Sequence, residues 1–250
     1  MANTPETSIL SYLRHARFAV LLFLLGALML AAPFIGAVDI RSKSGLAEIA
    51  LGLLFVSMLM SAAHAAARSR VSMIVAWCLL VPLILIWILD LVTGPNTIAV
   101  ARHIGGIVYV GYVILLIFGY LFATERVTLN TIAASLCIYF LIAIVWAEIY
   151  SIMEIANPGS FKVTTLDTGD VLLELGGEGT ALSLYYSLVT LTTLGYGDIV
   201  PKTAAARMFA AMEAVTGQMY LAVLVARLVG MHIVHSRQPS GPPDNDDQGR

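Results

Sequence analysis

Long apolar runs alternate with short polar stretches along most of the chain, and the pattern changes only after residue 156. A helix needs about 20 apolar residues to cross the hydrocarbon core of a bilayer. Each run is long enough, so each predicts a membrane-spanning helix. The predicted spans are Phe18–Val38, Leu46–Ala67, Val71–Val92, Ile98–Phe122, Val127–Tyr150 and Ala204–Val234.

The first run follows a polar, basic segment, as the apolar core of a signal peptide does. Such a core is about 7–15 residues long, whereas this run extends from Phe18 to Val38. We therefore expect a retained first span, preceded by a polar N-terminal segment over residues 1–16.

The pattern breaks between the fifth and sixth spans. Asn157–Gly179 is polar, acidic and glycine-rich, and residues 161–165 and 171–175 flank a turn-forming stretch, which predicts a β-hairpin outside the membrane. Thr180–Leu191 is apolar but too short to cross a bilayer, so it predicts a re-entrant half-helix. The partial negative charge at the C-terminal end of this helix would favour a cation.

The composition indicates that the chain lies in a membrane. The chain of 250 residues is 59% hydrophobic and 12% charged, with a mean hydropathy of +0.87, whereas soluble domains are about a quarter charged. These values predict a single all-α integral-membrane domain. The net charge of −2 argues against a nucleic-acid partner. The two cysteines lie in apolar runs and the histidines lack ligand spacing, so we expect neither a disulfide nor a metal site.

One motif lies directly after the half-helix. Residues 190–201 read Thr-Leu-Thr-Thr-Leu-Gly-Tyr-Gly-Asp-Ile-Val-Pro. The run Thr193-Leu194-Gly195-Tyr196-Gly197, followed by Asp198, resembles the selectivity filter of potassium channels, whose Thr-Val-Gly-Tyr-Gly loops ring the ion with carbonyl oxygens. The resemblance implies K+ at the carbonyls of Thr193, Leu194, Gly195 and Tyr196.

The filter chemistry requires these residue types. Inward carbonyls at successive levels put some residues at positive φ, which Gly195 and Gly197 adopt at little cost. Thr193 offers a carbonyl and a hydroxyl as the innermost ligands. We expect Tyr196 to point away from the axis, and Leu194, which replaces the commoner Val, to face the supporting helix.

The resemblance covers about Val127–Val234 and assigns an outer helix, a pore helix at Thr180–Leu191 and an inner helix at Ala204–Val234. Because filters of this type are rings of four loops and the chain contains a single Gly-Tyr-Gly, it implies a homotetramer. We therefore expect a pore domain over residues 125–235, with the filter at 193–198, and a disordered cytoplasmic tail over 236–250.

Residues 17–124 occupy the place of a voltage-sensor domain. A sensor needs several Arg or Lys residues on its fourth helix, and Ile98–Phe122 carries Arg102 alone. Steep voltage gating is therefore not expected. Six crossings put both termini on one side of the membrane. The distribution of basic residues predicts that this side is cytoplasmic, and we expect the protein in the cell (plasma or inner) membrane. Basic residues on the terminal side are Arg14, Arg17, Arg68, Arg70, Arg126 and Arg237, against Arg41 and Lys43 opposite.

Several residues are predicted to support the filter. Asp198 would form a hydrogen-bonded cuff with Tyr185 and Tyr186 of the pore helix. Glu213, buried at mid-depth, would bond to pore-helix groups such as Thr190, either as a structural brace or as a protonatable control on conductance.

Roles for residues further from the filter stay open. Glu148 resembles a glutamate that ties the outer helix to the loop after the filter, and a contact with lipid headgroups is the alternative. Gly217 suits either a gating hinge or close helix packing. Tyr220, Leu221 and Leu224 are candidates for the cavity wall or an inner constriction that gates by dewetting.

The sequence therefore predicts a potassium-selective channel: six transmembrane helices with a re-entrant pore helix and filter between the fifth and sixth. Conduction would be passive, with K+ as the permeant ion, no cofactor, and other copies and membrane lipids as partners. Enzyme motifs such as His-Glu-x-x-His or a Walker loop are missing from the sequence. The alternatives are a weakly selective cation channel and a non-conducting membrane scaffold with a channel fold.

Overall fold

The computed structural model describes residues 17–42, 46–67, 69–93, 98–124, 128–163 and 177–236. The predicted tail after residue 236, the segment before residue 17 and residues 164–176 lie outside the described residues. The helices are α1 Arg17–Ser42, α2 Leu46–Ala66, α3 Arg70–Thr93, α4 Ala99–Phe122, α5 Leu129–Ala156, α6 Gly177–Leu191 and α7 Ala204–Ser236, and the strands are β1 Phe161–Val163 and β2 Ile199–Pro201.

A helix occupies each of the six apolar runs. Four of the described helices, α3, α4, α5 and α7, are long and apolar enough to cross a membrane. Within α1 and α2 the apolar stretches are shorter, Arg17–Ala31 and Gly52–Ala66. The chain is therefore a mostly helical, multi-pass membrane protein.

Helix α5 is the centre of the chain. It packs on α1, α4, α6 and α7, and 61% of its apolar window is buried, against 11% for that of α7. Its first turn is capped by Thr128, whose hydroxyl accepts a hydrogen bond from the Thr131 amide at 3.2 Å. The predicted end at Tyr150 falls short, since α5 continues to Ala156.

Of the first four helices, α1 and α4 pack on α5, and α2 and α3 pack mainly on α1, α4 and each other through apolar side chains. Tyr109 of α4 is fully buried, and its hydroxyl donates to the Leu59 carbonyl of α2 at 2.8 Å, which satisfies a polar group inside the core. Other fully buried side chains in this core are Phe18, Leu21, Leu25, Met58, Leu59, Leu80, Ile117, Ile138 and Leu141.

Strand β1 forms where a strand was predicted, but its partner is β2, directly after the filter motif. The two strands are antiparallel, with Phe161 opposite Pro201 and Val163 opposite Ile199. The predicted hairpin partner, residues 171–175, lies outside the described residues. The outer-helix loop is thereby attached to the exit of the filter segment.

Helix α6 ends at the predicted Leu191, packs on α5 and α7, and is too short to span a membrane. Its C-terminus leads directly into the filter motif. Helix α7 then runs without interruption from Ala204 to Ser236.

Candidate functional site

The loop after α6 has an alternating backbone. Thr193, Gly195 and Gly197 have φ of 58°, 60° and 78°, whereas Leu194 and Tyr196 are not among the residues with positive φ. The alternation turns successive peptide planes the same way, so that carbonyl oxygens can line one side. The positive φ expected at both glycines is present, and Thr193 adopts it at a cost of about 1–2 kcal/mol.

Carbonyl groups at the end of α6 accept hydrogen bonds from the backbone amides of this loop. The Thr193 amide donates to the Thr190 carbonyl at 2.9 Å, and the amides of Leu194 and Gly195 donate to the Val189 carbonyl at 2.9 and 3.3 Å. Helix-terminal carbonyls that would lack partners are thereby satisfied. Because the amides point towards α6, the groups left to bind a cation are backbone carbonyls and the Thr193 hydroxyl.

The two larger side chains of the loop point away from their own chain. Leu194 is 55% exposed and Tyr196 is 67% exposed. The expectation that Leu194 packs on the supporting helix is therefore wrong within one chain, because the peptide turn at Thr193 directs it outwards. The direction of Tyr196 relative to a pore axis stays a prediction, because a single chain has no such axis.

Asp198 is anchored on α6. Tyr185 donates to its Oδ2 at 2.6 Å, and its Oδ1 accepts from the Ile199 amide at 3.0 Å. The structure therefore brings together two of the three residues of the predicted cuff. Tyr186 does not join them, because the next residue of a helix faces another side. Its ring instead packs between Tyr150 and Phe161, with centroids 5.0 and 5.2 Å away.

Glu213 joins three helices behind the loop. Its carboxylate is fully buried and accepts hydrogen bonds at 2.5 Å from both Tyr150 of α5 and Ser187 of α6. Ser187 also lies 2.7 Å from the Ala143 carbonyl. The prediction that Glu213 bonds to pore-helix groups agrees with Ser187, but the suggested partner Thr190 is wrong. Thr190 lies towards the filter loop, whereas Ser187, nearly one turn earlier, faces α5 and α7.

Glu148 does not reach the loop after the filter. Its carboxylate hydrogen-bonds to His103 of α4, and Gly106 lies against it. Sequence reasoning missed Glu154, which accepts from the amides of Gly159 and Phe161 at 2.6 and 3.1 Å and so holds the loop between α5 and β1. Six residues along a helix rotate a side chain by about two-thirds of a turn, so the two glutamates face different neighbours.

The inner helix lies close to the end of α6 at Gly217. A Cβ atom there would lie 2.2 Å from the Leu191 carbonyl oxygen, so packing requires the glycine. Tyr220 donates to the Ser135 carbonyl at 2.6 Å, and Leu221 packs on the cluster that Tyr139 and Ala143 of α5 form with Leu191. These two side chains therefore face the outer helix rather than a cavity. Leu224, one turn after Tyr220, is partly buried on the same side.

A cavity of about 300 Å³ lies between α6, the filter loop and α7. Thr190, Gly195 and Ala214 each line part of it. The filter backbone is thus not packed tightly against its own inner helix on this side, and a neighbouring group could occupy the space.

Comparisons with known proteins agree on the C-terminal half. The family model described as "Ion channel" matches residues 127–232. The A-type voltage-gated potassium channel KCND3 of Rattus norvegicus and of Homo sapiens is 41% identical over 58 residues, which cover 22% of this chain and 9% of that protein. Two-pore potassium channel 1 of Arabidopsis thaliana is 33% identical over 76 residues, covering 26% of this chain and 21% of the relative.

The chain therefore carries a segment at residues 127–232 that matches the ion-channel family and resembles potassium channels. It spans less than a quarter of the length of these relatives, and no solved structure matches it significantly. The family is one of channels rather than enzymes. The segment shared with the family contains α5, the filter loop and α7, and therefore all the contacts of Glu213 and Asp198 described above.

Two further polar residues of this chain were missed from the sequence. Arg227 of α7 donates to the carbonyls of Leu121 and Thr124 at the end of α4, and its guanidinium lies 5.4 Å from the Phe122 ring. Gln218 lies beside Thr193. A basic residue late in a membrane helix could have suggested a helix-end contact, but the sequence does not indicate which helix it meets.

Proposed function

We propose that the protein is a potassium-selective channel that conducts passively through a filter formed by residues 193–197 of four identical chains. The observation that carries the proposal is the alternation of positive φ at Thr193, Gly195 and Gly197 with the amides held by α6. A backbone of this kind can present a ladder of carbonyl oxygens that replaces the water around an ion.

The proposed ligands are the carbonyls of Thr193, Leu194, Gly195 and Tyr196 and the Thr193 hydroxyl. Stacked rings of these oxygens would hold several ions close together, and repulsion between neighbouring ions would keep their exit fast. K+ is the permeant ion, and the mechanism requires no cofactor.

A homotetramer follows from the single filter loop. Only 11% of the apolar window of α7 is buried within one chain, and Leu194 and Tyr196 project outwards beside it. Neighbouring copies and lipid would cover these surfaces. Apolar residues exposed along α7 at helical spacing include Met208, Met212, Val215, Met219 and Val223.

In the proposed architecture all six long helices span the cell membrane, α6 is the re-entrant pore helix, and both termini are cytoplasmic. Residues 17–124 would act as a scaffold without steep voltage sensitivity, because Arg102 is the single Arg or Lys of α4. The His103–Glu148 contact further attaches α4 to the outer helix.

Asp198 with Tyr185, and Glu213 with Ser187 and Tyr150, are the proposed supports of the filter. They hold the loop from its outer and rear sides through short hydrogen bonds. For Gly217, the close approach to Leu191 favours packing over a hinge.

The test is ion flux through purified protein in liposomes. A K+ gradient should collapse, and reversal potentials in mixed K+ and Na+ should follow K+. Gly195→Ala should abolish the flux, because a side chain is strained at its φ of 60°. Gly111→Ala is the matched control, since a Cβ there meets nothing within 4 Å.

Each alternative has its own outcome. Equal permeability to Na+ and K+ would indicate a weakly selective cation channel. A folded tetramer without flux would indicate a membrane scaffold, and a folded monomer would contradict the proposed filter altogether.

A further inference from the structure

Gln218 brings a polar side chain to the base of the filter loop. Its Nε2 lies 3.4 Å from the Thr193 hydroxyl oxygen, in hydrogen-bonding geometry. The neighbouring Gly217 makes this contact reachable, since a side chain there would collide with the Leu191 carbonyl and hold α7 away from the end of α6. The pairing is therefore built into the close approach of the two helices.

The amide is unusual for its surroundings. Gln218 is exposed on an apolar helix of a membrane protein, where a polar group facing lipid is costly. Nearby polar side chains of α7 bond elsewhere: Thr216 to the Met212 carbonyl, Tyr220 to the Ser135 carbonyl and Glu213 to α5 and α6. An exposed amide beside the Thr193 hydroxyl fits a water-filled cavity below the filter better than it fits hydrocarbon.

We propose that Gln218 is a specificity-determining residue at the cytoplasmic entrance of the filter, an inference that rests on the proposed channel function. In a fourfold assembly, four amides would surround the axis next to the four Thr193 hydroxyls. Each amide N–H occupies one lone pair of a hydroxyl and orients the other towards the ion. The amide oxygen remains an acceptor for the water that the ion sheds on entry.

Gln218 thus sets the affinity of the innermost ion site as seen from the cytoplasm. The experiment is block by Ba2+, a divalent ion that competes with K+ for filter oxygens, applied from either side of the membrane. Gln218→Met removes the amide at similar length. We expect the inhibition constant for internal Ba2+ to rise at least threefold, since loss of one hydrogen bond corresponds to about threefold to tenfold and a homotetramer loses four. K+ conductance should fall, with little change for external Ba2+.

Thr216→Val is the matched control. It removes a hydroxyl two residues away that bonds only to its own helix in the described contacts, and it should leave internal block unchanged. Unchanged internal block in Gln218→Met would overturn the inference while leaving the channel function intact. Equal changes for Ba2+ from both sides would also overturn it, since a general distortion of the filter has no sidedness.

Gln218→Glu provides a second test should the Met variant fail to assemble. Four added negative charges beside the innermost site should tighten internal Ba2+ block by at least the same factor. Weaker or unchanged block would contradict the proposed position of this side chain. A wild-type protein that carries no K+ flux would overturn both this inference and the proposed function.

Discussion

The region around the filter and the first four helices are held together by different means. Behind and beside the filter loop, three carboxylates accept six hydrogen bonds from α5, α6 and adjoining backbone: Glu213, Glu154 and Asp198. The first four helices are joined mainly by buried apolar side chains. Apolar packing is non-directional, whereas hydrogen bonds fix angles and distances, as a site that must position carbonyl oxygens requires.

Polar contacts join the two regions at both ends of α4. At one end His103 bonds to Glu148 of α5, and at the other Arg227 of α7 bonds to the last carbonyls of α4. Tyr220 adds a ring contact to Phe118, with centroids 6.3 Å apart. Helix α4 is thus attached to both the outer and the inner helix, which suits a scaffold better than a moving sensor.

The largest expected effect comes from removing the carboxylate that joins three helices. Glu213→Leu leaves the buried Tyr150 hydroxyl without its acceptor, whereas the Ser187 hydroxyl still has the Ala143 carbonyl as an acceptor. An orphaned buried hydroxyl costs about 1–3 kcal/mol, and the filter loses its rear support. We expect lower thermal stability of the purified protein in detergent and at least a tenfold loss of flux.

A double variant sharpens this prediction. Glu213→Leu combined with Tyr150→Phe replaces both partners by apolar groups, which can be nearly neutral, so it should recover part of the stability. If the loss of stability in the double variant equals the sum of the losses in the two single variants, the broken hydrogen bond is not the cause. Recording current against pH in Glu213→Gln separates the roles, since an unaltered pH response would exclude the protonatable control.

The next effect in size comes from Gly217→Ala. The added Cβ would lie 2.2 Å from a backbone oxygen of α6, and overpacking of this kind costs about 1–3 kcal/mol. Gly230→Ala on the same helix meets nothing within 4 Å and is the control. We expect reduced stability and flux for the first variant alone, measured by thermal unfolding and liposome flux; equal behaviour of the two would contradict the packing role.

A smaller effect is expected at the link between α4 and the inner helix. Arg227→Ala removes hydrogen bonds to two carbonyls at the end of α4. Charged hydrogen bonds are worth about 1.5–3 kcal/mol when buried, and this site is partly exposed, so we expect about 1 kcal/mol. Hydrogen exchange at the Ala123 and Thr124 amides should accelerate, with Arg227→Lys intermediate and K+ over Na+ selectivity unchanged. Unchanged exchange would show that the link is not energetically significant.

The sequence predicted what depends on local chemistry. Hydropathy located every long helix, because a membrane span must be apolar over its whole length. Gly195 and Gly197 indicated the backbone of the filter, because positive φ is a local property of those residues. Asp198 and Tyr185 were paired correctly through the same motif.

The sequence did not predict what depends on how the helices are rotated about their axes. Helices that are apolar all round carry no amphipathic signal to fix that rotation. For this reason Ser187 was missed in favour of Thr190, Glu148 was not paired with His103, and Tyr220 was placed facing a cavity. The partner of β1 was also missed. The three residues of β1 pair with a strand that follows the filter, and a pattern of three residues is too short to predict pairing with a strand so distant in sequence.

The smallest effect is expected at the outer edge of the filter, where the contact is most exposed. Tyr185→Phe removes the 2.6 Å hydrogen bond to Asp198 but leaves the Ile199 amide bonded to the same carboxylate. The loss is about 1 kcal/mol, so the loop should still form but lose conduction faster during sustained activity. Tyr112→Phe, which removes a hydroxyl bonded to Ser72 far from the filter, is the control. A current decay that is equally fast in wild type and Tyr185→Phe would mean that Asp198 is held by its own backbone contact, and that the outer edge of the filter does not depend on the pore helix.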